Sequence, residues 1–374
     1  MDEMNDAMSR PADGAVAPGP NERSLALVCR GVKEPDAELE RQAWERLDSL
    51  TKPPRSLGRL EEIAARMAAV QRTVRPEAAP SAITLFAGDH GVVAEGVSAW
   101  PPEVTFQMVG NFVAGGAAIN QIARFVGAEL VLTDVGVAAD TSVFPTVVQE
   151  KVRAGTRNMA VEPALTREEA AAAVLVGVRT VQRLAADGVK VIATGEMGIG
   201  NTTTAAALTA AYTGVPVSRV IGRGTGIDDV ALAHKAEVVD RALRLHRPSA
   251  SDPLGTLASL GGLEVAAMAG VFIGCAAERV CGISDGFISS AAALAARSLC
   301  ADVYHYIFCS HRSEEPGHSV ALVSLELEPF IDLGMRLGEG TGAALAIPVM
   351  GAACAMMNGM ATFAEAGVTE RPED

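Results

Sequence analysis

Short apolar runs alternate with longer segments of helical pattern from Ala82 onward. This alternation is typical of β-α-β units, in which parallel strands form a buried sheet and helices cover it. The runs that we predict as strands are 82–87, 130–135, 189–194, 217–221, 280–284 and 303–309. The sequence therefore predicts an α/β fold with a doubly wound, mainly parallel sheet and helices on both of its faces.

Most of the predicted strands end in a loop that is rich in glycine and polar residues. These loops are 88–91, 195–201, 222–226, 285–287 and 310–313. In an open parallel sheet, ligands bind outside the carboxyl ends of the strands. We therefore expect the five loops to meet at one crevice.

The segment before the first strand has a different pattern. Residues 1–33 begin with a polar stretch, and we predict that they form a flexible N-terminal extension. The pattern of residues 36–73 predicts two helices that are separated by the prolines in 52–55, with Ser56 as the N-cap of the second helix.

Further helices are predicted from caps and from apolar stretches. A capping box at Thr166 opens a helix to about residue 187, and Asp228 caps a helix to about residue 245. The apolar stretches 265–277 and 342–357 are either too short or interrupted by proline, so we predict buried helices and no membrane insertion.

The composition excludes several classes of partner. The 374 residues carry a formal net charge of −14, whereas proteins that bind nucleic acid or anionic membranes carry basic patches. Six cysteines form no CxxC pair, which favours a reduced, cytoplasmic protein over a disulfide scaffold. The first residues lack the pattern of a secretion signal, so no export is expected.

A single carboxylate stands among glycines in the stretch Arg336-Leu337-Gly338-Glu339-Gly340. A glycine on each side lets the backbone turn tightly and lets a ligand approach closely. Glu339 is therefore a candidate catalytic base. The alternative is a loop whose glutamate points to water.

Two glycine loops have the form of phosphate sites. The loop 195–201 precedes an alanine-rich helix, and its N–H groups and the helix dipole suit an anion, although a simple tight turn is the alternative. The loop 222–226 repeats this design. Lys235 follows about two helical turns beyond Asp228, where it either supplies positive charge or is a solvated helix lysine.

Other polar residues near these loops have less certain chemistry. Glu196 is a second carboxylate at the expected crevice, where it can orient a substrate or share the work of a base. Asp89 and His90 are more typical of residues that brace neighbouring loops. The remaining histidines lack zinc spacing, and no acidic cluster fits magnesium, so we predict no metal and no cofactor.

The stretch 96–120 is richer in aromatic and polarizable side chains than most of the chain. An apolar slot with one or two polar groups suits a flat heteroaromatic ligand, and Ser98 and Gln107 are the candidate polar groups. Met108 and Phe112 are equally well explained as core residues of a helix.

Taken together, these segments resemble nicotinate-nucleotide:dimethylbenzimidazole phosphoribosyltransferases. The similarity runs from about residue 51 to about residue 364. It depends on the motifs 52–58, 88–92, 115–120, 195–203, 222–226, 285–288, 310–318 and 332–342.

The resemblance implies a reaction and a set of roles. The ribose 5-phosphate of nicotinate mononucleotide would pass to 5,6-dimethylbenzimidazole, giving α-ribazole 5′-phosphate and nicotinate with inversion. Glu339 would be the base, and Glu196 would assist it or orient the incoming ring. The implied phosphate and ribose contacts are Gly198, Gly200, Gly224, Lys235 and Ser313, and the implied walls around the rings are Ser98, Gln107, Met197, Arg336, Leu337 and Gly338.

The resemblance also implies a homodimer with a small helical domain built from both chain ends. Its segments would be 34–75 and 336–366, on either side of a large α/β domain at 76–335, with an acidic tail at 367–374. Two rival functions stay open at this point. One is a related phosphoribosyltransferase with another aromatic acceptor, such as adenine or a phenol, and the other is a non-catalytic nucleotide sensor.

Overall fold

A computed structural model describes residues 17–224 and 226–369. Six strands of the described residues form a parallel sheet in the order β3-β2-β1-β4-β5-β6. They are β1 Ser81–Gly88, β2 Glu129–Gly136, β3 Val148–Gln149, β4 Val191–Met197, β5 Cys281–Ser284 and β6 Ile307–Cys309. A second, two-stranded parallel sheet pairs β7 (His311–Ser313) with β8 (Ile331–Met335).

Helices cover both faces of the large sheet. All eight residues of β1 are buried, and since alternate side chains point to opposite faces, neither face of this strand meets solvent. The helices are α1 Pro20–Gly31, α2 Ala37–Ser49, α3 Arg59–Gln71, α4 Glu103–Ala114, α5 Ala118–Val126, α6 Arg167–Ala186, α7 Asn201–Thr213, α8 Asp229–His246, α9 Pro253–Leu260, α10 Leu263–Glu278, α11 Phe287–Leu299, α12 Pro316–Leu325, α13 Thr341–Gly359 and α14 Phe363–Ala366. The predicted doubly wound α/β fold is confirmed.

The strand order places β1 and β4 side by side at the centre of the sheet. The chain runs outward from β1 through β2 to β3 on one side, and from β4 through β5 to β6 on the other. The direction of winding therefore reverses between β1 and β4. In sheets of this kind, the crevice at the carboxyl ends of those two strands is the usual ligand site.

Helices from both ends of the described chain contact one another. α3 packs against α13, and Arg46 of α2 donates a hydrogen bond to the Met357 carbonyl at 2.9 Å. Leu50 and Thr362 form an antiparallel bridge. These contacts join the two ends, while the division into a small and a large domain stays a prediction.

α13 is the one helix of the described ranges that is long and apolar enough to cross a membrane by length and composition. Half of its most apolar window is buried, and α13 packs against β4 and β5 of the sheet. Core helices pass the same composition test.

Three local predictions were wrong. Residues 217–221 are not a strand, because Val217–Arg219 forms a 3-10 turn directly after Pro216. The predicted strand 303–309 is shorter, since Ala301–Tyr306 is a 3-10 segment and only Ile307–Cys309 pairs with β5. The N-cap of α3 is Gly58, so Ser56 lies before the helix and does not cap it.

The prediction of a flexible segment at 1–33 was wrong for its second half. α1 packs against α6 and α10, Leu25 is buried, and the Asn21 N–H donates to Glu168 at 3.1 Å. An apolar stripe and docked helix partners therefore order this segment. The first half of that prediction, residues 1–16, and the tail residues 370–374 lie outside the described residues.

Candidate active site

A cavity of about 780 Å³ opens at the carboxyl ends of the central strands. Its wall combines the loop after β4, the loop after β5, β7 with Glu315 just beyond it, and the stretch between β8 and α13. α4 and Trp100, which lies shortly before it, add apolar side chains. Four of the five predicted loops, 195–201, 222–226, 285–287 and 310–313, thus meet at one crevice, whereas loop 88–91 does not line it. The volume suits a small organic ligand.

Glu339 lies directly before α13 and lines this cavity. Its φ of 61° is in the left-handed region, which costs a residue other than glycine about 1–3 kcal/mol and is found mainly at functional sites. Its side chain is buried, and one of its carboxylate oxygens, Oε2, has no hydrogen-bond partner among the described residues. Burial raises the pKa of Glu339 above its ordinary value. The side chain therefore has the free oxygen and the basicity that a proton acceptor needs.

Gly338 explains why glycine precedes this glutamate. Its φ is 87°, and a Cβ atom there would lie 2.3 Å from Oε1 of Glu196. Glycine leaves room for the Glu196 carboxylate to lie against this backbone. The contact between Gly338 and the Glu196 side chain therefore explains why a glycine directly precedes Glu339.

Glu196 is the next-to-last residue of β4 and is held in place by two donors. Its Oε1 accepts the Glu339 N–H at 3.3 Å, and its Oε2 accepts from the Asn201 side chain. Burial, followed by the negative charges of Asp285 and Glu264, raises the pKa of Glu196 well above its ordinary value. Glu196 therefore connects the base loop to the start of α7.

Asp285 is a third buried carboxyl group of this cavity, and sequence reasoning gave it no role. Its two oxygens accept the N–H groups of Gly340 at 3.1 Å and of Ala343 at 2.8 Å. The only sequence signal was its position after a predicted strand. Its partners come from a helix more than fifty residues later, which no local pattern reveals.

The loop after β4 forms a suitable anion site. The N-cap of α7 is Gly200, which has a φ of 95° and no side chain to cap the first N–H groups of the helix. Gly198 and Gly200 border a small cavity of about 30 Å³ that Ser98 and Lys235 also line. Uncapped N–H groups at a helix start favour a phosphate.

Lys235 points into this region and is not a solvated helix lysine. It is buried on α8, and its ammonium donates to Thr202 Oγ1 at 2.8 Å and to the Gly222 carbonyl at 3.1 Å. Burial lowers the pKa of Lys235 to about 8. The structure thus brings a positive charge beside both glycine loops.

Gly224, Ser313 and Arg336 complete the polar wall of the large cavity. Arg336 donates to the Gly224 carbonyl at 3.0 Å, so the second glycine loop is tied to the base loop. The Ser313 N–H donates to Nδ1 of His318 at 2.9 Å. Burial lowers the pKa of His318 to about 3, which keeps its ring neutral and able to accept this bond.

An apolar wall faces these polar groups. Met197, Leu337 and Gly338 line it as predicted. Trp100, Val104 and Met108 add a strip from the segment of α4. Val104 and Met108 lie four residues apart on one face of α4, whereas Trp100 precedes the helix. The spacing of Val104 and Met108 was the signal that sequence reasoning missed.

Two of the residues expected around the aromatic rings do not line the large cavity. Ser98 borders the small cavity instead and accepts the Trp100 N–H at 3.1 Å. Gln107 is exposed on α4 and lines neither of these two cavities, because Val104 and Met108 take the face that meets the ligand space. Phe112 is a core residue.

Asp89 and His90 brace the loops as predicted from their setting. Asp89 accepts the Ala138 N–H at 2.7 Å. His90 lies 2.6 Å from Oε1 of Glu264 and 2.9 Å from the Thr204 hydroxyl. These buried contacts connect the loop after β1 to α10 and to α7.

Comparisons with known proteins identify the family. A family model described as phosphoribosyltransferase matches residues 32–368. The chain belongs to this phosphoribosyltransferase family.

Individual relatives are closely similar to the chain over most of its length. A nicotinate-nucleotide–dimethylbenzimidazole phosphoribosyltransferase of Desulforamulus reducens is 51% identical over 92% of this chain and 99% of its own. The protein of that name from Geobacter metallireducens is 51% identical over 92% and 98%. A crystal structure of this enzyme from Thermus thermophilus has a TM-score of 0.85 and 47% identity, covering 90% of this chain and all of its own.

Proposed function

We propose that this protein transfers the ribose 5-phosphate of nicotinate mononucleotide to 5,6-dimethylbenzimidazole, giving α-ribazole 5′-phosphate and nicotinate. The names of its close relatives state this pair of substrates. The observation in the site that carries the proposal is the unpartnered oxygen of Glu339, buried between an anion site and an apolar wall.

The two substrates fit different parts of the wall. The 5′-phosphate is proposed to bind at Gly198 and Gly200, with Lys235 supplying charge. Gly224 and Ser313 then contact the phosphate or the ribose. The flat acceptor is proposed to lie against Met197, Leu337, Gly338 and the α4 strip, with Arg336 at its edge. Ser98 borders the small cavity and is proposed as an outer polar contact.

Glu339 then acts as the general base. It takes the N–H proton of the benzimidazole, while the other ring nitrogen forms a bond to C1′ of the ribose. The bond from C1′ to the pyridinium nitrogen breaks, and its electron pair neutralises the departing nicotinate ring. Attack on the face opposite the leaving group gives inversion, and holding the partners in line supplies much of the rate.

The charge of the cavity suits nicotinate mononucleotide as the donor of the ribose 5-phosphate. Four carboxyl groups line it, from Glu196, Asp285, Glu315 and Glu339. A positively charged pyridinium ring is attracted to a carboxyl-rich wall. Because the leaving group becomes neutral at its ring nitrogen as it departs, we propose that the reaction needs no metal ion or cofactor.

The test is a turnover assay without added metal. The purified chain is mixed with nicotinate mononucleotide, and nicotinate is separated by chromatography with and without dimethylbenzimidazole, adenine or a phenol as acceptor. We expect nicotinate release that depends on the acceptor and is fastest with dimethylbenzimidazole. Binding of the nucleotide without release would favour a sensor, and a faster reaction with adenine or phenol would assign a different acceptor.

We also propose that the protein is a homodimer through α13. This helix carries no charged residue, and one of its faces is uncovered in the single chain. The exposed or half-buried positions on that face are Leu345, Pro348, Val349, Ala352, Ala355, Met356 and Gly359. A second copy of the chain would cover such a face, as apolar patches of this kind usually mark interfaces.

A cytoplasmic location is part of the same proposal. All six cysteines are free, and five of them are buried. Free thiols persist in a reducing compartment.

A further inference from the structure

Asp285 joins the end of β5 to the start of α13. It follows β5 directly, is 2% exposed, and accepts the N–H groups of Gly340 and Ala343 with its two oxygens. The N-cap of α13 is Gly340, which has no side chain to satisfy those donors. A carboxylate from a neighbouring strand therefore caps this helix.

This cap acts on the residue just before the helix. Glu339 lies between two fixed peptide groups, since its own N–H donates to Glu196 and the next N–H donates to Asp285. Its φ of 61° needs such restraint, because a glutamate does not prefer this conformation. The restraint leaves the side chain buried with Oε2 unpartnered.

Charged and titratable groups surround this pair on every side. Glu196 lies on β4, and His311 of β7 is 3.7 Å from Asp285 through Nδ1. Arg336, Glu315 and Glu339 share the cavity wall with Asp285, and Glu264 of α10 adds negative charge near Glu196. After burial, the negative charge of Asp285 contributes to raising the pKa of Glu339 and of Glu196.

We propose that Asp285 is a positioning residue for the reaction: by capping α13 it holds the Glu339 backbone, and with it the Glu339 side chain, at the wall of the cavity. This inference depends on the proposed function, in which Glu339 is the base. Asp285 itself transfers no proton.

A cap that serves only the fold would behave differently. Its loss would lower stability and would slow the reaction to the same degree whether or not Glu339 is present. A positioning residue acts through Glu339, so its loss matters little once Glu339 has been replaced. The two roles can therefore be separated by a double-mutant cycle.

The experiment uses Asp285→Asn, Glu339→Gln and the double variant of the full chain. Asparagine keeps one oxygen acceptor but removes the charge and the second acceptor. We expect kcat to fall about tenfold or more for Asp285→Asn alone, and less than about twofold when it is added to Glu339→Gln.

The pH profile gives a second readout. Removing a negative charge beside Glu339 lowers the pKa of its carboxyl group. The acidic limb of kcat/KM for Asp285→Asn should therefore move to lower pH. A limb that stays in place, or equal losses of kcat in the two backgrounds, would overturn the inference.

Folding is checked by thermal melting, and Asp285→Ser provides a smaller replacement that keeps one acceptor. If both variants fail to fold, Asp285 is a structural cap and the inference is wrong. If the unaltered chain releases no nicotinate in the turnover assay, the proposed function itself is wrong. If the unaltered protein is active but the losses of the two single variants add up in the double variant, the proposed role of Asp285 is wrong and the proposed function stands.

Discussion

The ionisation of Lys235 is expected to set the pH range in which nicotinate mononucleotide binds. Its folded pKa is lowered to about 8, so the side chain is charged below that pH and becomes neutral above it. Affinity for nicotinate mononucleotide should therefore be constant near pH 7 and should fall up to about tenfold per pH unit above pH 8. Titration calorimetry between pH 6.5 and pH 9.5 measures this.

Replacement of this lysine sharpens the test. Lys235→Met should weaken binding and remove the pH dependence, whereas Lys33→Met, at an exposed lysine, should leave both unchanged. Affinity that is flat across pH 8 in the unaltered chain would remove Lys235 from the phosphate site.

The candidate site could be predicted residue by residue only where glycine marks it. Glycine loops identified Glu339, Glu196 and Lys235, because close backbone approach leaves a trace in the local sequence. Asp285 received no role, since its partners are formed by a distant helix. Gln107 was placed in the site because sequence shows that a residue is on a helix but does not fix the face it takes.

At the scale of elements, α6 and α10 pack closely against each other. A Cβ atom at Gly270 would lie 1.8 Å from the Val174 carbonyl oxygen, so no side chain fits without separating the helices. Gly270→Ala should lower the free energy of unfolding by about 1–3 kcal/mol or more through overpacking. Urea denaturation followed by circular dichroism measures the loss.

A second helical glycine serves as the control. At Gly31, near the end of α1, an added Cβ meets nothing within 4 Å. Gly31→Ala should keep or raise stability by up to about 1 kcal/mol, as alanine favours a helix. Equal effects at the two glycines would mean that α6 and α10 are not so closely packed.

Helix and strand positions could be predicted where caps and apolar periodicity agree. The capping box at Thr166 and the cap at Asp228 mark real helix starts. The failures at 217–221 and 303–309 have a common reason, since short apolar runs do not distinguish a strand from a 3-10 turn. In the second case, tertiary contacts decide: Arg66 donates to the carbonyls of Tyr304, His305 and Ile307.

At the scale of the whole molecule, the proposed dimer predicts a change of mass. Ala352 is exposed in the middle of the uncovered α13 face. Ala352→Glu would bury an unpaired charge in that interface, so we expect the variant to elute as a monomer in size-exclusion chromatography with light scattering.

Val323 provides a matched control, because it is 80% exposed on α12 and equally apolar. Val323→Glu should leave the dimer intact. A monomeric unaltered chain, or a dimer that tolerates Ala352→Glu, would show that this face is not the interface.

The whole fold was the most predictable level. Repeated β-α-β patterning fixes a parallel sheet, and the loops at its carboxyl edge follow from that geometry. The strand order itself was not predicted, because the long-range pairing of β1 with β4 leaves no local signal. The family resemblance supplied the reaction and is supported by relatives that are 51% identical.

The role of Glu339 is tested most directly by nicotinate release from Glu339→Gln. Glu326→Gln is the control, since Glu326 is also a left-handed glutamate but lies exposed after α12. We predict a loss of about a hundredfold or more in kcat for Glu339→Gln and none for Glu326→Gln. Turnover of Glu339→Gln at the rate of the unaltered chain would contradict the account.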